Sequence, residues 1–178
     1  RVRDQWHTMT RTGLSPRLAL HIGEPFVEIN ADDAGRLRLS HGRLARLRTR
    51  YGEAILRVMP SERVQRGSLF VPIHWSDQNS SAGRIGALVQ PTSDPHSGQP
   101  ETKATPASIE PFPATQFGFL LSREMPPTRK LAYWARARMP AGSAIFFALT
   151  ATPANWSDWC KGRLPEGELL TYEDAGSG

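Results

Sequence analysis

The chain has 178 residues, of which 39% are hydrophobic and 22% are charged. This length allows one well-packed domain, or one domain with a smaller extension, and it excludes a large multidomain catalyst. The formal net charge of +5 is compatible with an anionic partner, whether a nucleic acid, a phosphate-bearing cofactor or an acidic neighbouring domain.

The sequence carries no membrane or disulfide signature. No stretch approaches the roughly 20 apolar residues that span a bilayer, and the first residues lack the apolar core of a signal peptide, so we expect a soluble chain. Cys160 is the single cysteine, which excludes an internal disulfide and a cysteine cluster for zinc or an iron-sulfur centre. Because the chain begins at Arg1 rather than Met, we expect that it was cut from a longer polypeptide.

Short elements are expected in the first third of the chain. Fifteen Gly and fifteen Pro favour many short elements over long helices, which indicates a β-rich fold. Residues 26–29 (F-V-E-I) are predicted to form a buried strand, and a short helix should begin after Asn30, a capping residue. Residues 43–50 mix apolar and basic side chains, a turn follows, and residues 54–59 are apolar, which predicts a hairpin.

The middle of the chain contains two candidate loops. The apolar run at residues 69–72 ends in Pro72, which does not fit inside a central strand, and it leads into a polar loop at residues 74–81 that is a candidate site. Residues 91–106 are rich in Pro and poor in apolar side chains, which predicts a long surface excursion. Residues 103–109 are expected to return the chain to the sheet.

Beyond residue 112 the pattern changes. Residues 117–121 and 145–149 are predicted strands, and the stretch at residues 131–138 between them is aromatic and basic. We therefore place a domain boundary near residue 112.

Three segments in a fixed order carry a resemblance to a known family. They are Q-W-H-T-M-T-R-T-G at residues 5–13, the strand, helix and hairpin at residues 26–59, and the stretch from F-V-P-I-H-W at residues 70–75 to D-P-H-S-G-Q-P-E-T-K at residues 94–103. Together they resemble the carboxy-terminal dinucleotide-binding domain of the molybdopterin oxidoreductase superfamily, which includes nitrate reductases and formate dehydrogenases. The third segment is similar to the assimilatory nitrate reductase branch in particular.

The resemblance implies a mainly β fold. Residues 1–111 are expected to form a double-psi β-barrel with short helices that binds the molybdopterin dinucleotide. Residues 112–178 are expected to form a small α+β C-terminal extension that packs on the barrel or follows it.

The resemblance also implies which residues contact the cofactor. The expected contacts are Trp6, His7, Thr8, Met9, Thr10, Arg11, Thr12, His74, Asn79 and Lys103. We expect the Thr-rich stretch from Thr8 to Thr12 to form a loop that leaves a strand. Its hydroxyls, its guanidinium and its backbone N–H groups are donors that suit pyrophosphate and pterin oxygens. Where relatives commonly carry an Asn this chain has Ala82, and either Asn79 substitutes for it through a shifted loop or that contact is missing. For Trp75, pterin contact and core packing are both open.

The implied cofactor is a bis-molybdopterin guanine dinucleotide that holds molybdenum. The implied reaction is the reduction of nitrate to nitrite by oxygen-atom transfer, as part of nitrate assimilation in the cytoplasm. No catalytic residue and no metal ligand is expected in this chain, and an iron-sulfur cluster is expected only in the upstream domains of the same polypeptide. Those domains would be its partners, so the fragment alone should be inactive.

Three alternatives are open at this point. The first is the same domain from a formate dehydrogenase or another oxyanion reductase. The second is a basic β-barrel that binds single-stranded nucleic acid, with aromatic stacking platforms and the arginines of residues 43–50 along the backbone. The third is an interaction module whose basic face docks an acidic domain. Those arginines are most simply a solvated hairpin face, so neither a nucleic acid nor a membrane is expected as a partner.

Overall fold

The structure, a computed structural model, describes residues 2, 9–19, 22–114, 116–122, 131–138, 144–150 and 168–173. The chain divides into two compact units. The five-stranded unit comprises Pro25–Asp77 and Ala82–Phe112. The four-stranded unit comprises Arg1–Glu24, Gln78–Ser81 and Pro113–Gly178.

The five-stranded unit is built on one mixed sheet. Its strands are β1 (Phe26–Ile29), β2 (Leu44–Arg48), β3 (Glu53–Pro60), β4 (Leu69–Phe70) and β5 (Ser108–Pro111). They lie in the order β4-β1-β3-β2-β5, with β1 parallel to β3 and the other neighbours antiparallel. The unit also contains an α-helix at Ala31–Arg36 and a 3-10 helix at Ile85–Ala87.

A capped helix follows β1 directly, as the sequence predicts. This helix, α3, spans Ala31–Arg36, and the side chain of Asn30 accepts a hydrogen bond from the N–H of Asp32 at 3.1 Å. The same side chain donates to the carbonyl oxygen of Val64 at 3.0 Å. Asn30 therefore both starts the helix and ties it to the loop after β3.

A small apolar cluster holds α3 against the sheet. Its buried members are Ile29, Ala34, Leu39, Ala45 and Val58, with Leu69 and Ile109 packed at its edge. Burial of one large aliphatic side chain contributes roughly 1.5–3 kcal/mol. The cluster draws on β1, β2, β3, β4 and β5, so it is the common core of this unit.

The hairpin of β2 and β3 has a fixed tip. The N–H of Thr49 donates to the carbonyl oxygen of Gly52 at 2.9 Å, and the Thr49 hydroxyl donates to the carbonyl oxygen of Leu88 at 2.9 Å. A Cβ at Gly52 would lie only 2.6 Å from the carbonyl oxygen of Ala87. Position 52 therefore needs glycine, because the backbone of Ala87, at the end of the 3-10 helix, lies too close for a side chain.

The Pro-rich excursion at residues 91–106 is folded on itself through Asp94. One carboxylate oxygen of Asp94 accepts the N–H of His96 at 3.0 Å, the N–H of Ser97 at 2.7 Å and the Ser97 hydroxyl at 2.9 Å. A bridge between Ser93 and Pro100 closes the loop. Almost all of the segment is exposed, which confirms the predicted surface excursion.

The four-stranded unit contains two helical turns and an antiparallel sheet. The helices are α1 (Met9–Thr12) and α2 (Pro16–Ala19), and the strands are β6 (Gln116–Ser122), β7 (Tyr133–Arg138), β8 (Ala144–Thr150) and β9 (Glu168–Glu173). The strand order is β7-β8-β6-β9. Along β7, the buried Tyr133, Ala135 and Ala137 alternate with half-buried residues, which is the pattern of a strand with one covered face.

The structure confirms the predicted mainly β fold with few short helices. The double-psi connection stays a prediction, and so does the helical part of the extension. The division at residue 112 also stays a prediction; by compactness, residues 1–24 and 78–81 group with residues 113–178. Within the described ranges, no helix is long and apolar enough to cross a membrane.

Candidate cofactor-binding site

The first predicted contact segment forms a helical turn. Trp6, His7 and Thr8 lie outside the described residues, so their roles stay predictions. The next four residues form α1, where the sequence favoured a hydroxyl-rich loop. The turn is helical because the N–H of Gly13 donates to the carbonyl oxygen of Met9 at 2.8 Å. The expectation of a loop at this point was therefore wrong for residues 9–12.

Two of the predicted contacts in α1 face inward. Met9 and Thr12 are 5% and 8% exposed, and the Thr12 hydroxyl donates to the Met9 sulfur at 3.6 Å. Their side chains therefore hold the turn together from inside the protein. Cofactor contact by Met9 and Thr12, and by Thr10 and Arg11 beside them, stays a prediction.

Asn79 lies beside the end of α1. A Cβ added at Gly13 would stand 3.2 Å from Nδ2 of Asn79 and 2.4 Å from the carbonyl oxygen of Met9. The four-stranded unit thus brings together two segments that the sequence assigned to the same site and that are more than sixty residues apart in the chain. The absence of a side chain at Gly13 allows this approach.

Residues 79–81 are fixed as an additional edge of the four-stranded sheet. The N–H of Arg136 donates to the carbonyl oxygen of Asn79, and the N–H of Ser81 donates to the carbonyl oxygen of Trp134, both at 2.9 Å. The N–H of Trp134 donates to the Ser81 hydroxyl at 3.0 Å. Three hydrogen bonds to β7 therefore set the backbone position of Asn79.

Ser80 is a buried polar residue that sequence reasoning did not single out. It is 0% exposed, and its hydroxyl has no hydrogen-bond partner among the described residues. A buried hydroxyl without a partner is costly, and such groups are commonly completed by an ordered water or a ligand. The Ser80 hydroxyl is therefore a position where an ordered water or a ligand would complete the hydrogen bonding.

The loop that follows β4 belongs to the five-stranded unit. Pro72 is fully buried, His74 is half-buried, and Trp75 is 3% exposed. In the described part of the chain, Nε1 of Trp75 and the hydroxyl of Ser76 are buried without a hydrogen-bond partner. The burial of Trp75 supports a packing role, while its unsatisfied N–H leaves a ligand or water contact open.

Lys103 lies at the end of the exposed excursion. Its backbone N–H donates to a carboxylate oxygen of Glu101 at 2.6 Å, and Ala104 next to it has a positive φ of 54°. Among the described residues, no carboxylate forms an ion pair with the Lys103 ammonium group. The lysine is therefore available to a mobile anion or to a pyrophosphate.

Ala82, at the position where the resemblance implies an Asn, has its backbone engaged in the fold. Its carbonyl oxygen accepts the N–H of Ile55 at 3.0 Å, so this stretch continues the pairing of β3. Asn79 and Ala82 fall in different units. Within the described ranges, no group of three or more His, Cys, Asp or Glu is placed to hold a metal ion.

Comparison with known proteins identifies the family. Residues 1–106 match the model of the molydopterin dinucleotide binding domain. The chain is 41% identical over 162 residues to a nitrate reductase of Klebsiella oxytoca, which is 90% of this chain and 19% of that protein.

Two further relatives cover less of the chain. The alpha subunit of an F420-dependent formate dehydrogenase of Methanococcus maripaludis is 31% identical over 110 residues, which is 62% of the chain and 16% of that protein. The assimilatory nitrate reductase catalytic subunit of Bacillus subtilis is 30% identical over 91 residues, which is 51% of the chain and 13% of that protein. The chain thus spans about a fifth or less of the length of these curated relatives.

Proposed function

The chain belongs to the molydopterin dinucleotide binding domain family, and on this premise we propose that it is the cofactor-binding carboxy-terminal part of a molybdenum-dependent nitrate reductase. Its role would be to bind and orient the cofactor for the reduction of nitrate to nitrite. The upstream domains of the same polypeptide would complete the enzyme, so this part alone would be inactive.

The extent of similarity to nitrate reductases carries this proposal. The match to the Klebsiella protein covers 162 residues, whereas the family model ends at residue 106. That match must therefore include much of the chain beyond the cofactor-binding domain. The match to the formate dehydrogenase of Methanococcus covers 110 residues, a length that the domain alone nearly supplies. Similarity in the extension favours nitrate reductase over formate dehydrogenase.

The proposed cofactor is a bis-molybdopterin guanine dinucleotide, which when bound supplies the molybdenum at which oxygen-atom transfer takes place. The residues proposed to hold it are Trp6, His7, Thr8, Met9, Thr10, Arg11, Thr12, His74, Asn79 and Lys103. Asn79 offers a carboxamide that both donates and accepts, and its backbone is fixed by β7. Lys103 offers a positive charge with no described carboxylate partner, which suits a pyrophosphate.

The setting of the enzyme is also part of the proposal. Similarity to an assimilatory enzyme of Bacillus subtilis supports a cytoplasmic role in nitrate assimilation. Molybdenum ligation from protein and any iron-sulfur cluster are proposed to belong to the upstream domains. The second candidate is a formate dehydrogenase, which the 31% identity to the Methanococcus subunit supports.

The test uses the full-length polypeptide that carries this chain, produced in a host that makes molybdopterin. Molybdenum content and nitrite formation with a reduced dye are measured for the wild type and for Asn79→Ala, Lys103→Ala and Arg63→Ala. We expect the wild type to hold molybdenum and to form nitrite. Loss of one charge-assisted contact at Lys103 should weaken cofactor retention roughly tenfold.

Arg63→Ala is the matched control for Lys103→Ala. Arg63 is an exposed cation of the same unit, and it pairs with Glu28 at 3.1 Å. Its replacement should leave molybdenum content unchanged. A wild-type protein that oxidises formate and leaves nitrate untouched would support the second candidate, and a protein without molybdopterin would refute both.

A further inference from the structure

A cavity of about 510 Å³ that is widely open to solvent lies at the tip of the β2–β3 hairpin, within the five-stranded unit. It is lined by Arg48, Thr49, Arg50, Tyr51, Gln90, Pro106, Ala107 and Ser108. Binding cavities for small molecules commonly measure roughly 300–1,000 Å³ and combine apolar walls with a few polar groups. This cavity has both features, and none of its lining residues belongs to the predicted cofactor contacts.

The walls of the cavity are held in place by the fold. The Thr49 hydroxyl is bound to the carbonyl oxygen of Leu88, and it accepts the N–H groups of Tyr51 and Gly52 at 3.1 and 3.3 Å. Two further lining residues, Ser108 and Arg48, are paired with each other in the β2–β5 ladder. A ligand would therefore meet a preformed surface and would not have to order it.

The charges around the cavity are unequal. Arg48 is held by two carboxylates, Glu53 at 3.1 Å and Glu110 at 3.0 Å, so its charge is compensated. Arg50 has no carboxylate partner among the described residues, and its guanidinium lies over the ring of Tyr51, 5.3 Å from the centroid. The rim thus presents one uncompensated cation, oriented by an aromatic ring.

We propose that this cavity binds a small organic anion with a planar apolar body. The carboxylate or phosphate of the ligand pairs with Arg50, whose planar guanidinium can donate two parallel hydrogen bonds. The planar body lies against the apolar surfaces of Tyr51 and Pro106, and Gln90 and Ser108 supply neutral polar groups. The site goes beyond cofactor binding and does not depend on the proposed nitrate reductase activity.

The test measures binding of phenyl phosphate, benzoate, neutral benzamide and inorganic phosphate to the full-length protein by saturation-transfer NMR and calorimetry. We expect saturable binding of phenyl phosphate or benzoate, and binding of benzamide and of inorganic phosphate that is roughly tenfold weaker. The two organic anions distinguish a phosphate ligand from a carboxylate ligand. If benzamide binds as tightly as the organic anions, the charge of Arg50 plays no part in binding. If inorganic phosphate binds as tightly, the apolar walls play no part. Either result overturns the proposal.

Three variants assign the binding to this cavity. Arg50→Gln and Tyr51→Ala should each weaken phenyl phosphate or benzoate binding roughly tenfold, whereas Arg63→Gln, at the other end of β3, should leave it unchanged. Both lining side chains are exposed at the surface, and a thermal melt checks that each variant is folded. Absence of saturable binding in the wild type, or undiminished binding in both lining variants, overturns the proposal.

Discussion

Asp33 shows how one carboxylate fastens a helix to a loop more than thirty residues away. It is 4% exposed, and one of its oxygens accepts the N–H of Gly67 at 2.6 Å while the other accepts from the guanidinium of Arg36. The hydrogen bond from the Gly67 N–H has the larger effect and the one from Arg36 the smaller. Together they hold the pKa of Asp33 below its ordinary value of 3.8. The ionised form of Asp33 is therefore the form that the fold stabilises.

Acid should destabilise the protein through Asp33. A carboxyl group whose pKa is lower in the folded than in the unfolded chain adds stability above its unfolded pKa, and this stability is lost as the pH falls through the folded pKa. We therefore expect the free energy of unfolding to decrease once the pH is lowered beyond about 4. Asp94, whose pKa is lowered by Ser97 and His96, acts in the same direction. Urea denaturation of the full-length protein between pH 2.5 and 6 measures the effect.

The variant Asp33→Asn should reduce stability at pH 6 and flatten the loss on acidification. Asp32→Asn, on the exposed side of the same helix, removes an equal charge and should reduce stability at pH 6 less, because the Asp32 carboxylate is exposed and pairs with the exposed Arg66. If the two variants lose the same stability, the contact between Asp33 and Gly67 has no special role.

At the level of elements, local pattern was enough for residues 26–60. The strand at residues 26–29, the helix capped by Asn30 and the hairpin of β2 and β3 follow from a short apolar run, a capping residue and a turn between two further runs, and the structure confirms all three. The helical turn α1 was missed, because a run of Thr favours loops and strands on propensity alone. Strand order was also out of reach, since the contact of β5 with β2 joins residues about sixty positions apart.

Gly52 at the hairpin tip and Gly35 in α3 should respond oppositely to replacement by alanine. Gly52→Ala should destabilise the protein by about 1–3 kcal/mol, because the new Cβ would meet the backbone of Ala87 at 2.6 Å and the chain must shift. Gly35→Ala in α3 meets nothing within 4 Å and should stabilise the protein by about 0.5–1 kcal/mol through helix propensity. Thermal and urea unfolding of the two variants should move in opposite directions. Equal shifts would mean that the approach of the two segments is not tight.

For the whole molecule, the family could be predicted from the sequence, whereas the site could be predicted only in part. Order and spacing of three segments predicted the family, which the match over residues 1–106 confirms. The placement of Asn79 beside α1 could not be read from the chain, because it depends on β7 receiving residues 79–81 at its edge. Ser80 was missed for the same reason: a serine gives no signal until its burial is known.

Net charge is a property of the whole molecule, and its distribution argues against nucleic-acid binding by Arg46 and Arg48. Arg46 and Arg48 share the carboxylates of Glu53 and Glu110 at distances from 3.0 to 3.9 Å, and Arg46 also lies 5.1 Å from the ring centroid of Phe112. A phosphate backbone would have to displace these carboxylates. Despite the overall charge of +5, Arg46 and Arg48 therefore do not form a row of unpaired cations along this hairpin.

Binding of a single-stranded oligonucleotide to two double variants of the full-length protein, measured at several salt concentrations, tests this argument. The wild type and Arg46→Gln/Arg48→Gln should bind equally weakly, because the arginines are already paired. Glu53→Gln/Glu110→Gln should bind more tightly, since it frees two cations, and each phosphate contacted should add about −0.7 to the slope of log K against log salt. Tight wild-type binding with a steep salt slope that disappears in the arginine variant would instead establish the nucleic-acid alternative, because only free arginines along the hairpin could produce it.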